Sequence, residues 1–98
     1  MLIRIVKMNF ELNEIDNFLS IFNAHKQKIR NFKGCTHLEL LRDVNNTNII
    51  FTYSYWESEQ HLEDYRKSEL FKDVWSKTKK LFNNKPEAWS VERVETIE

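Results

Sequence analysis

The chain has 98 residues, with 15 Lys plus Arg balancing 15 Asp plus Glu, so residues 1–98 are expected to form a single domain around one core with no excess positive field to hold nucleic acid. No apolar run approaches the roughly 18 residues of a membrane span and no signal-peptide core follows Met1, so a soluble, cytoplasmic protein without a membrane partner is expected. A single cysteine, Cys35, excludes an internal disulfide and a cysteine-only metal site, and a single glycine, Gly34, is too few for the phosphate-cradling loops of nucleotide and dinucleotide enzymes.

Leu2 to Phe10 alternates as a strand, with Ile3 and Ile5 on one face and Leu2, Val6, Met8 and Phe10 on the other. From Asn13 the period becomes helical. Ile15, Phe18, Leu19, Phe22 and Ile29 form a stripe, Asn13 is the expected cap, and Gly34 is the expected left-handed terminator. Cys35 to Arg42 reads as a second strand. The turn-prone run Asp43 to Asn48 leads by a hairpin into a third strand, Ile49 to Trp56. Ser58 can cap a short helix carrying Leu62 and Tyr65, and Ser68 a second one with a stripe through Leu70, Phe71, Val74, Trp75, Thr78, Leu81 and Phe82. Asn83 to Pro86 breaks that helix, Ala88 to Val94 is a last strand, and the charged tail is expected to fray. The order is βαββαβ with the second helix broken in two, which is the ferredoxin-like α+β arrangement with a four-stranded antiparallel sheet.

Such a sheet carries its helices on one side only, and the third strand is apolar on both. It presents Phe51, Tyr53 and Tyr55 to one face, Ile50 and Trp56 to the other. An uncovered apolar face marks an interface, and a two-fold homodimer joined sheet to sheet is the simplest closed solution.

Three stretches carry a resemblance: Gly34-Cys35 at the helix end, Leu40-Leu41-Arg42-Asp43, and above all Tyr55-Trp56-Glu57-Ser58 continuing to Tyr65 and then Ser68-Glu69-Leu70-Phe71-Lys72. From Leu2 to about Val91 the chain resembles the antibiotic biosynthesis monooxygenase (ABM) domain. The resemblance implies a dimeric α+β barrel and an activity in the range of that family, which includes cofactor-independent monooxygenases of quinols and polycyclic phenols as well as haem-degrading enzymes. Many members have a histidine where this chain has Tyr65. The haem-degrading relatives use an asparagine, a tryptophan and a histidine where this chain has Val6, Tyr65 and Trp75, so no proximal haem ligand is expected.

His25, His37 and His61 show no metal-ligand spacing, and His25 and His61 read as solvated helix residues. His37, on a strand, is the candidate acid/base, with Tyr65 as a second catalytic candidate able to donate a hydrogen bond. Trp56 and Trp75 are expected to wall an aromatic substrate pocket, with Tyr53 and Asn9 as orienting groups. Cys35 reads as a small buried hydrophobe rather than a nucleophile. No serine, histidine and acid set suggests hydrolysis. The expected function is oxygenation of a small aromatic or quinol-type ligand with neither cofactor nor metal. The alternative is a non-catalytic or stress-related dimeric barrel that only binds such a ligand.

Overall fold

A computed structural model describes residues 1–98. The strands are β1 (Leu2–Asn9), β2 (Cys35–Arg42), β3 (Ile49–Trp56) and β4 (Glu87–Val91), and the helices α1 (Ile15–Arg30), α2 (Glu59–Arg66) and α3 (Glu69–Thr78). Short 3-10 turns at Leu12–Glu14 and Lys79–Leu81 adjoin α1 and α3. The sheet order is β2-β3-β1-β4, every neighbouring pair antiparallel. This is the ferredoxin-like α+β fold with its second helical segment in two pieces.

Strand pairing gives each face a simple rule. Ile3 sits between Tyr55 and Val91, and Ile5 between Tyr53 and Trp89, while Met8 lies opposite Ile50 and Leu40 opposite Thr52. Even-numbered strand residues therefore face the helices, and odd-numbered ones face away. Cys35 is the exception. A register shift between Cys35 and His37 inserts one extra residue, so Cys35 pairs with Trp56 and joins the core although it is odd-numbered.

The core is two clusters. Met8, Phe10, Phe18 and Ile50 form the first, with the Phe10 and Phe18 rings stacked at 4.4 Å. Cys35, Trp56 and Leu62 form the second, with Leu2, Phe32 and Tyr65 packed against them. Burial raises the pKa of the Cys35 thiol, and Sγ donates a weak bond to the His37 carbonyl at 3.5 Å. This is an inert, apolar use of the residue.

The helix starts follow their hydroxyl caps. Ser58 Oγ accepts from the His61 N–H and Ser68 Oγ from the Phe71 N–H, satisfying donors that a first turn leaves orphaned. At α1 the expected cap differs. Asn13 lies inside the 3-10 turn, Glu14 occupies the cap position, and no capping side chain accepts from the first-turn N–H groups. Gly34 does take the left-handed region, at φ +92°, but α1 has already ended at Arg30. Its role is in the approach to β2, where its carbonyl accepts from the Glu57 N–H at 2.8 Å.

Two histidines read as solvated are instead wedged between elements. His25 Nδ1 bonds the Ile21 carbonyl at 2.8 Å while Nε2 reaches Asp73 Oδ2 of α3 at 3.2 Å. His61 packs over Gly34, with Nδ1 2.7 Å from Ser58 Oγ. The last strand is shorter than expected, ending at Val91. The tail beyond it folds back across the odd face, where Arg93 donates to the Tyr55 hydroxyl at 3.0 Å and residues 92–96 lie beside Met1 and Ile3.

The odd face is apolar over most of its area. Its rows run Val91, Ile3, Tyr55, His37; then Trp89, Ile5, Tyr53, Glu39; then Glu87, Lys7, Phe51, Leu41. No helix covers it, and Leu41, Trp89 and Val91 remain about two-fifths exposed (43%, 43% and 42%).

Candidate functional site

On the even face, between sheet and helices, lies a cavity of about 290 Å³. Val6, Met8, Leu38 and Thr52 form its floor. Its wall is a continuous run of rings along α2 and α3: Trp56 stacks on Tyr65 at 5.0 Å, Tyr65 meets Phe71 edge-on at 5.2 Å, and Phe71 lies nearly parallel to Trp75 at 5.8 Å. The helical period makes this wall, because Phe71 and Trp75 are one turn apart on α3 and Tyr65 ends the same stripe on α2. The mouth is where the lining is exposed, at Arg66 of α2 and at Glu87 and Ala88 of β4.

Few polar groups look into this space. The Trp56 Nε1–H is engaged by Ser54 Oγ at 3.0 Å, and the Thr78 hydroxyl by the Val74 carbonyl at 2.8 Å. The Tyr65 hydroxyl has no partner within the chain, and burial pushes its pKa far above the usual phenol range. It is therefore a donor at neutral pH and not a base. Arg4 and Arg66 complete the polar lining. Glu87 contributes at the rim, but its carboxylate points away, 3.9 Å from Lys7 Nζ on the odd face. No three His, Cys, Asp or Glu side chains come together as a metal-holding group.

Of the residues singled out from sequence, the structure brings Trp56, Tyr65 and Trp75 together on the cavity. His37, Tyr53 and Asn9 lie on the odd face, on the other side of the sheet. The expectation that His37 serves this pocket as acid/base is thus corrected: its Nε2 contacts Glu39, and its ring packs 4.8 Å from that of Tyr55 and 6.5 Å from that of Tyr53. The reason is alternation. Leu38 and Leu40 take the inward positions of β2, so His37 and Glu39 must point outward. Arg4, which sequence reading passed over, does face the cavity. The available signal was its place between Leu2 and Val6, at an inward position of an apolar strand.

The sequence model of the antibiotic biosynthesis monooxygenase family matches residues 1–76, from β1 through most of α3. The chain belongs to this family. Among solved structures, an ABM-family protein described as antibiotic biosynthesis monooxygenase superposes with a TM-score of 0.91 at 17% identity, covering 97% of this chain and 100% of that one. A conserved protein from Methanosarcina mazei gives 0.88 at 17% identity, covering 95% and 93%. Rv0793 from Mycobacterium tuberculosis gives 0.88 at 11% identity, covering 99% and 98%. At these identities the likeness is one of fold. No curated protein matches the chain. The ABM match ends before β4, so the strand that shapes the cavity mouth lies outside the matched segment. No helix is long and apolar enough to cross a membrane.

Proposed function

We propose that this ABM-family chain is a single-domain, cofactor-independent monooxygenase of small aromatic, quinol-type compounds. The observation that carries the reading is the ring-walled cavity lined by Tyr65, whose hydroxyl has no partner in the chain. A space of about 290 Å³, at the lower end of small-molecule pockets, suits one or two fused rings, and parallel and edge-on aromatic walls suit a flat one. In such chemistry the substrate is its own reductant. A ring CH₂ activated by a neighbouring carbonyl loses a proton and passes one electron to O₂. The carbon radical and superoxide combine to a hydroperoxide, which then sheds water to leave C=O. One oxygen atom enters the product, the other leaves as water with the two hydrogens of the CH₂. The protein supplies orientation and a water-poor site, and Tyr65 donates to the substrate oxygen as charge develops there.

An oxygen electrode tests this with a panel of naphthols and naphthohydroquinones, two-ring compounds whose keto tautomers carry the ring CH₂. One O₂ consumed per substrate is the expected result. Tyr65→Phe, which keeps the ring and removes the donor, is expected to lower the rate about a hundredfold without loss of fold. An unchanged rate in that variant would remove Tyr65 from the chemistry. A second reading, a non-catalytic ligand holder, is favoured by one specific observation: no imidazole lines the cavity, and Tyr65 cannot act as base. Saturable ligand binding with no substrate-dependent oxygen uptake would select it.

The active form is proposed to be a homodimer joined through the odd faces of two sheets. The support is the uncovered apolar strip through Ile5, Phe51, Tyr53 and Trp89, whose burial against a copy removes a continuous hydrophobic surface from water. Sedimentation equilibrium at micromolar protein is expected to give twice the 12.0 kDa chain mass. Trp89→Glu, at a position already 43% exposed, is expected to give a folded monomer. A monomeric wild type would end the proposal.

A further inference from the structure

We propose that the cavity selects anionic aromatic molecules, holding a carboxylate or an ionised ring oxygen at Arg4 and Arg66 while the ring lies along the Trp56 to Trp75 wall. This rests on reading the cavity as the substrate site.

Arg4 is out of place for a solvent-side charge. It occupies an inward position of β1, in a sheet row between Ser54 and Ser90, and so has a hydroxyl on either side and no acid. Its one side-chain hydrogen bond is from Nη1 to Ser90 Oγ at 3.0 Å. No carboxylate lies within 4 Å of it, whereas Arg66 pairs with Glu63 at 3.0 Å. A guanidinium carries five N–H donors in a planar fork, so most of Arg4's capacity is unspent. Partial burial lowers its pKa, and the like charge of Arg66 adds to that, with Glu63 only partly opposing. Two arginines and one carboxylate leave this end of the cavity with one net positive charge. Arg4 is partly exposed and Arg66 nearly half exposed, so this excess charge is solvated, and an entering anion exchanges that water for a charged partner. A planar oxyanion matches the fork in geometry and charge.

The arrangement also supplies what the cavity's side chains lack. With no imidazole present, a cation beside an ionisable ring oxygen favours the deprotonated form of the ligand directly. The proton then leaves through the open mouth at β4.

The test pairs ligands of one shape and two charges. Binding of 2-naphthoate and of 2-naphthamide is followed by fluorescence of the wall tryptophans and by calorimetry, and 2-naphthol is titrated across its own ionisation. The wild type is expected to bind the naphthoate at least tenfold more tightly than the amide, or to tighten on the naphthol only as it ionises. The first result identifies the carboxylate and the second the phenolate as the recognised group. Arg4→Gln is expected to bring the charged and neutral ligands level, the loss falling mainly on the charged one. Should that variant fail to fold by circular dichroism, Ser90→Ala, which releases the Arg4 tether, is expected to cut the preference about threefold. Equal binding of amide, naphthoate and ionised naphthol would overturn the anion inference alone. A preference that survives Arg4→Gln, or that is undiminished in Ser90→Ala where that variant stands in for it, would overturn it too. Failure of all three ligands to bind would overturn the substrate-site reading with it.

Discussion

Trp56→Ala is expected to cost about 3–5 kcal/mol of folding stability, the largest effect of any single truncation in this chain. Trp56 is 1% exposed, the largest fully buried side chain, and the centre of the second core cluster. It lies directly across from Leu2 on one side and Cys35 on the other, stacks on Tyr65, and satisfies its indole N–H with Ser54. Truncation would not leave a sealed void, because the freed volume would open into the adjoining cavity and admit water against Leu62 and Phe32. Trp56→Phe keeps most of the apolar area and loses the bond to Ser54, so it is expected to cost about 1–2 kcal/mol. Urea denaturation at one fixed protein concentration measures both, the concentration being held because association would otherwise shift the midpoint. A loss below about 1 kcal/mol for the alanine variant would show that the second cluster is too loosely packed to fix the aromatic wall.

Gly34→Ala is expected to destabilise by about 2–4 kcal/mol, through two separable causes. A Cβ is disfavoured at φ +92° whatever surrounds it, and here it would also collide with Cβ, Cγ and Cδ2 of His61. Those atoms are the root of the side chain, so a rotamer change does not relieve the contact, and the start of α2 must shift. That start is already held by Ser58, whose hydroxyl meets both the backbone N–H and the ring of His61. A double-mutant cycle with His61→Gly, which removes all three atoms, separates the causes. A smaller penalty in the His61→Gly background assigns the difference to the collision, and an equal penalty assigns all of it to the backbone. Gly34→Ala within about 0.5 kcal/mol of wild type would contradict both.

The elements were readable from sequence where a local rule acts alone. Ser58 and Ser68 each precede an apolar helical stripe, and both hydroxyls cap as that pattern requires. Strand parity was harder, because β3 offers Phe51, Tyr53 and Tyr55 on one face and Ile50 and Trp56 on the other, and both sets can be buried. The decisive hint lay in the neighbouring strand, where Leu38 and Leu40 alternate with His37 and Glu39. Without that comparison, His37, Tyr53 and Asn9 group with Tyr65 although a sheet separates them. Arg4 is hard to read for the opposite reason: a single charge in a strand is ordinarily a solvated one, and its place between Leu2 and Val6 shows it turned inward only once the even-numbered face is known to meet the helices. The strand end at Val91 and the return of Arg93 to Tyr55 depend on tertiary contacts that no local pattern encodes.

The alternation that separates the two faces also interleaves two independent sets of instructions in one stretch of chain. Arg4, Val6 and Met8 line the hollow, while Ile3, Ile5 and Lys7 face the reverse side. Adjacent codons can therefore drift under unrelated pressures. Substitutions at every second residue of β1 reshape the hollow and leave the reverse face as it was, and the converse substitutions rewrite that face without reshaping the hollow.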